Sequence, residues 1–224
     1  SVVEPLGSIL LLSVLFSLAV RNPPIGQSFL LFYATGVLPF RSFGSMQNAV
    51  SSAISGNRGL LAYPVVEPMD ALLSRFVLNF MTDFLVAALL FTGIILWNHL
   101  YVTLNLAAIA GAFTLAALLG LGIGSINCVL FGLFPTAKNV WSVLTRPLFI
   151  LSGVFFIYES VPPDFQHIMW WNPLMQVIGL MRSGFYGTYD ADYVSIPYIL
   201  AIAGSTFLLG GYLVRRHASA LIEE

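Results

Sequence analysis

The residues of this chain that can make or break bonds are few and scattered. His99, His167 and His217 sit in separate loops, and Cys128 is the only cysteine. A zinc site needs three or four such ligands converging on one point. No H-E-x-x-H pattern occurs, so no metal site is expected. A lone cysteine excludes an intrachain disulfide and reads as a small apolar packing residue. Ser45 and Ser125 follow glycines, yet neither stands in a G-x-S-G nucleophile pattern, which leaves intramembrane serine proteolysis poorly supported. The sole lysine, Lys138, lacks the glycine loop of G-x-x-x-x-G-K-[ST], so ATP binding in that manner is not expected of this chain. What is left is charge and aromatic surface, which grips, pairs or guides rather than reacts. The chain is read as a non-enzyme with no cofactor of its own.

Those residues sit in an apolar frame. Of 224 residues 58% are hydrophobic and only 8% are charged, against about 25% charged in a soluble domain. That deficit marks an all-α integral membrane protein, and the net charge of −1 favours no nucleic acid. A bilayer core about 30 Å thick takes roughly 20 helical residues. Six runs are expected to cross it: 5–20, 28–54, 71–97, 104–134, 140–157 and 196–214. The breaks are Arg21-Asn-Pro-Pro24, the island 55–68, Asn98-His99, Pro135-Thr-Ala-Lys-Asn139, the segment 158–195 and the tail from Arg215. Pro39 is expected to kink the second run. No cleavable signal peptide is expected, since the first run lacks a basic flank and an A-x-A site. The fourth run is dense in small residues, from Ala107 to Gly124, suited to close helix approach. Arg58, Arg75, Lys138, Arg215 and Arg216 fall on one side and Arg21 and Arg182 on the other, so the first side is cytoplasmic and both termini lie there.

Three constellations stand out within this frame. The island Ser55-Gly-Asn-Arg-Gly-Leu-Leu-Ala-Tyr-Pro-Val-Val-Glu-Pro68 mixes apolar residues with charge, and Gly56 and Gly59 permit a tight turn. It reads as a short helix on the cytoplasmic surface, a socket for an energy-supplying subunit built from Asn57, Arg58, Gly59, Leu60, Leu61, Tyr63, Glu67 and Asp70. Arg41 and Asp83 lie at nearly equal depth in the second and third runs. An unpaired charge there costs several kcal/mol, so the two are expected to pair, directly or through water. The external segment holds two pieces of roughly 8 and 13 residues, too short to span at 1.5 Å per residue. Asp164 is expected to cap the first, Asn172-Pro173 to restart the chain, and Gly184 and Gly187 to loosen the second end. Together they read as a re-entrant helical hairpin between the fifth and sixth spans. Its aromatics, with Arg182, are candidates for guiding a glycan: Phe155, Phe156, Tyr158, Phe165, Trp170, Trp171, Phe185 and Tyr186. An interfacial aromatic belt uses the same residue types.

The order of these features resembles a known family, the membrane permeases of ABC-2-type polysaccharide exporters, and most of all the inner-membrane proteins of capsular polysaccharide export. Four stretches carry the likeness: Leu31-Phe-Tyr-Ala-Thr-Gly-Val-Leu-Pro-Phe-Arg-Ser-Phe43, the island from Asn57 to Pro68, Phe134-Pro-Thr-Ala-Lys-Asn139, and Trp171-Asn-Pro-Leu-Met-Gln-Val-Ile-Gly-Leu-Met-Arg182. The resemblance covers 1–224 as a single transmembrane domain. It implies two permeases paired with two separate subunits that bind Mg-ATP, with the 2–3 segment as coupling helix. It implies export of a lipid-linked, typically acidic polysaccharide across the bacterial inner membrane, continued by periplasmic and outer-membrane proteins. Arg41, Arg146 and Arg182 then become candidates for contacting acidic sugars or an anchor phosphate. The family begins with a cytoplasmic amphipathic helix whose end coincides with Ser1, so that helix is expected to be missing. The competing readings are O-antigen, teichoic acid or a smaller lipid or drug as cargo, and a secondary transporter.

Overall fold

The computed structural model describes residues 7, 9–11, 13, 23–57, 59, 67–97 and 103–218. The first run, Arg21, Asn98-His99 and the end of the tail lie outside them, apart from helical positions 7, 9–11 and 13. Seven α-helices follow among the described residues: α1 Phe29–Ser51, α2 Pro68–Trp97, α3 Leu106–Leu133, α4 Thr136–Leu151, α5 Pro163–Trp170, α6 Pro173–Phe185 and α7 Ile196–Arg216. No strand occurs among the described residues.

Local chemistry sets the ends. Ser28 Oγ accepts the Leu31 N–H at 3.4 Å and opens α1, which runs on through Pro39. Asn105 Oδ1 accepts the Ala108 N–H at 3.2 Å and opens α3. The fifth run was placed at 140–157, yet α4 occupies Thr136–Leu151. Pro135 starts the helix early, so Thr136, Ala137, Lys138 and Asn139 form its first turn instead of a loop. It stops early because Gly153 takes φ +76°, a left-handed conformation that ends helices. Asp164 does not cap α5. The chain enters from Pro162, and Asp164 sits within the first turn without a capping bond. Gly184 does not loosen α6 either. It lies in the helix, where a Cβ would come within 2.6 Å of Ile109 Cγ1.

By length and composition, α2, α3 and α7 are apolar enough to cross a membrane. At 30 residues α2 reaches about 45 Å. It turns Leu78, Met81, Leu85 and Leu89 outward, all more than half exposed. Such a stripe would be a liability in water but suits hydrocarbon.

The chain forms two compact units, each from three segments: Ser1–Arg41, Asp83–Thr114 and Leu148–Ser195 in the first, and Ser42–Thr82, Leu115–Pro147 and Ile196–Glu224 in the second. In the first unit α6 is the most enclosed element, with ten of its 13 residues buried. Its length of about 20 Å is too short to cross, and protein covers its backbone, the condition a non-spanning helix needs at membrane depth. The second unit packs Met46, Val50, Leu72, Leu121, Cys128 and Val214 into one cluster.

The small residues of α3 make that cluster possible. A Cβ on Gly120 would lie 2.7 Å from Met46 Cβ and 2.8 Å from the Phe43 carbonyl oxygen. Gly124 faces Val50 as closely, and Gly122 faces Thr206 of α7. Backbone carbonyls cannot retreat the way a side chain can. Gly120→Val is therefore expected to cost about 1–3 kcal/mol, read as a lower unfolding midpoint in detergent. Gly204→Ala, whose Cβ meets nothing within 4 Å, serves as the neutral control.

Candidate functional site

The island is described at its two ends. After α1 the chain tightens into a 3-10 turn over Ser55–Asn57. There Asn57 Nδ2 donates to the Ala53 carbonyl at 2.7 Å, and the Gly56 N–H donates to Ser52 at 2.9 Å. At the far end Asp70 accepts the Glu67 backbone N–H at 3.0 Å. With Pro68 first in the helix, this is the returning half of a capping box. Asn57 and Asp70 thus hold the island's ends in shape, while Gly59 and Glu67 are exposed. Arg58, Leu60, Leu61 and Tyr63 lie outside the described residues.

Sequence reasoning missed what borders this turn. Arg75 reaches back from α2, its Nη2 3.6 Å from where a Gly56 Cβ would stand. Beside the turn a cavity of about 810 Å³ is lined by Asn48, Ser51, Ser52, Ser55, Cys128 and Lys138, among others. The serine hydroxyls donate to carbonyls one turn back, as Ser51 does to Asn48 at 3.0 Å. Only tertiary packing places Lys138 there.

Arg41 on α1 and Asp83 on α2 are half-buried. Each terminates its helix's segment within the first unit, which ends at Arg41 on α1 and resumes at Asp83 on α2.

The hairpin of α5 and α6 is built around Arg182. Its side chain is 1% exposed, so its charge has left water. Three contacts compensate: Nη1 donates to the Phe156 carbonyl at 2.7 Å, Nη2 to the Val154 carbonyl at 3.0 Å, and the guanidinium lies 4.2 Å over the Phe32 ring. Nε is left without a partner. The fork of Arg182 closes the loop that follows α4. Its reach is occupied by backbone, so it is a clamp within the fold.

The nine exit candidates separate by position. Phe185 is buried against Phe91, ring centroids 4.3 Å apart. Tyr186 is buried too. Phe155 packs edge-on to Phe149 at 5.4 Å, and Phe156 is half-buried. Tyr158 stacks on Tyr193 at 4.1 Å. Trp170 Nε1 donates to the Tyr193 carbonyl at 3.0 Å. Phe165 and Trp171 are the exposed pair, at 58% and 67%. Two tyrosines, together with Gln176, which the spacing did not single out, tie the arrangement together. Tyr189 donates to the Glu159 carboxylate at 3.0 Å. Buried Gln176 donates to the Trp170 carbonyl at 2.8 Å and accepts the Ser195 N–H at 2.8 Å. Burial pushes the Tyr193 hydroxyl up to about 12. Burial also raises that of Tyr189, with help from Tyr193 and Glu159, so both stay protonated donors at neutral pH.

Three apolar helices long enough to cross a bilayer, a capped entry to α2 and an enclosed short helix α6 are thus present among the described residues. The family model described as "ABC-2 type transporter" matches residues 1–186. The chain belongs to the ABC-2 type transporter family. Similar proteins include the polysialic acid transport protein KpsM of Escherichia coli, 29% identical over 99% of this chain and 86% of the relative. The capsule polysaccharide export inner-membrane protein CtrC of Neisseria meningitidis is 23% identical, covering 98% and 83% of the two chains. BexB of Haemophilus influenzae, which bears the same description, is 25% identical over 85% and 72%.

Within this ABC-2 transporter, the Arg182 clamp makes a direct prediction. Arg182→Met leaves two carbonyls without their donors and is expected to cost about 2–4 kcal/mol. Arg182→Lys recovers only part of that, because an ammonium cannot fork across both oxygens. Unfolding midpoints in detergent check the order wild type, Lys, Met.

Proposed function

We propose that this chain is the membrane permease of an ATP-driven exporter that moves lipid-linked capsular polysaccharide across the bacterial inner membrane. The observation that carries the reading is similarity along nearly the whole chain to proteins named for polysialic acid transport and capsule polysaccharide export. The all-helical fold with three span-length apolar helices agrees with it. Two permeases assemble with two ATP-binding subunits, which hold Mg-ATP, since this chain has no phosphate-binding loop. Six spans leave both termini in the cytoplasm, and periplasmic and outer-membrane proteins continue the path.

The island couples hydrolysis to movement in this reading. Closure of the ATP-binding subunits pushes on 58–70. The push enters α2 through its capped first turn and reaches α1 through the Ser55–Asn57 turn. Exposed Gly59 and Glu67 are the described residues best placed to be touched. The measurement is ATPase stimulation and co-purification when the permease is joined to its ATP-binding subunit. Glu67→Lys is expected to lower stimulation several-fold while the permease itself unfolds at the wild-type temperature. Unchanged stimulation and binding for Glu67→Lys and Gly59→Trp together would remove the island from the coupling path. A strain lacking the chain should accumulate acidic glycan inside the cell. If mass analysis finds none, the cargo is something else.

Arg41 and Asp83 pair across α1 and α2, directly or through water, and so offset the cost of charge inside hydrocarbon. Arg41→Asp and Asp83→Arg should each reduce export, and the exchanged double variant should recover part of it. A double variant worse than either single one rules out direct pairing.

A further inference from the structure

The cavity beside the Ser55–Asn57 turn lies wholly within the second unit, lined by the ends of α1 and α3, the turn and the start of α4. Its volume of about 810 Å³ falls within the range of small-molecule sites, about 300–1,000 Å³. Part of the lining is apolar: Ile54, Phe131 and Pro135. Next to the last two in sequence, Leu130 and Phe134 are exposed, like the outward leucines of α2.

The polar lining has two opposite demands. Lys138 is exposed in the first turn of α4, and its ammonium has no hydrogen-bond or ion-pair partner among the described residues. An ammonium has donors and no acceptor, so Lys138 requires an anion. Ser51, Ser52 and Ser55 require the reverse, because their hydroxyl protons are taken. Ser51 and Ser52 donate to the Asn48 carbonyl at 3.0 and 2.9 Å, and Ser55 donates to the Ser52 carbonyl at 3.3 Å. What remains on each oxygen is lone pairs, which accept. The helix ends point the same way. α1 and α3 end here with no basic residue in the last turn, so their negative dipole ends favour a cation. α4 starts here with no acidic residue in its first turn, so its positive end favours an anion.

We propose that this cavity binds the headgroup of a phospholipid that carries a primary amine. The phosphodiester lies on Lys138 and the start of α4, the ammonium on the serine oxygens and the end of α1, and the acyl chains run past Leu130 and Phe134. Such a headgroup holds both charges on one short arm and has N–H donors for the serines. A purely anionic ligand, acidic cargo included, satisfies Lys138 but meets the serine lone pairs with its own. The occupant is therefore a resident membrane lipid, whatever the chain exports. Ser55 opens the 3-10 turn, so this lipid bears on the segment from which the island leaves.

The test uses the permease with its ATP-binding subunit in a maltoside detergent, and short-chain phospholipids with ethanolamine, choline or glycerol headgroups as probes. The ethanolamine lipid should bind about tenfold tighter than the choline lipid, whose quaternary nitrogen has no N–H, and than the glycerol lipid, which has no cation. Lys138→Gln should weaken the ethanolamine lipid about tenfold. Ser51→Ala combined with Ser55→Ala should abolish the preference for ethanolamine over choline and leave the choline lipid's affinity unchanged. An ethanolamine lipid with a photoreactive acyl chain should crosslink mainly at 130–134, and less so in Lys138→Gln. Equal affinities for the probes, or wild-type binding by Lys138→Gln, overturn the proposal. Tightest binding of the glycerol lipid does so too, because the site is then one for an anion alone. Crosslinks spread as densely over Leu78, Met81, Leu85 and Leu89 of α2 also overturn it, since they mark ordinary solvation by lipid.

Discussion

Inside hydrocarbon there is no water to satisfy a backbone N–H, a carbonyl or a charge. This chain meets that shortage with side chains wherever a helix stops short of the surface. The clearest case is the loop after α4, where Gly153 ends the helix and leaves carbonyls facing inward. Arg182 supplies two of the missing donors, to Val154 and Phe156. Gln176 does the same for the Trp170 carbonyl and the Ser195 N–H, and Asn172 accepts the Leu174 N–H at 3.0 Å to restart the chain as α6. The hairpin of α5 and α6 is held by polar side chains acting on backbone, inside an apolar shell. A few buried atoms are left over, among them Ser42 Oγ, Gln47 Nε2 and Asn127 Nδ2, and we have no physical account of them.

The hairpin of α5 and α6 is enclosed: α6 buries ten residues, and the tyrosines beside it are protonated donors in a shared network. The described ends of the island are a 3-10 turn over Ser55–Asn57 beside the cavity that Lys138 lines, and a capped helix start at Pro68, with Gly59 and Glu67 exposed. An enclosed element resists displacement, whereas an open one can be touched by a soluble partner. A push delivered at the island would meet glycine-tight packing between α1, α3 and α7, where carbonyl-to-Cβ distances leave no slack. Such packing moves as a block rather than deforming.

Much of this was legible in the residues. Two external pieces of about 8 and 13 residues were expected from Pro, Asn and Gly positions, and α5 and α6 have those lengths. The density of small residues in α3 foretold close approach. The resemblance to ABC-2 polysaccharide permeases matches the family shown by 1–186. Errors came where two local signals competed. Asp164 looked like a cap, but the prolines before it had already set the helix start. Lys138 looked like a loop residue, but Pro135 opens a helix rather than prolonging the break.

Composition alone determined the solvent: 8% charge cannot cover a water-soluble surface of this size. Periodicity and breakers determined where helices run, because those depend on neighbours in sequence. Tertiary structure decided what each charge is for, because that depends on what lies across from it. Arg182 and Arg146 are the same side chain on apolar helices. One is enclosed, with two carbonyls and a ring around it; the other stands exposed on α4 with no partner among the described residues. No local pattern separates them, and the difference lies wholly in which helix face the fold turns inward.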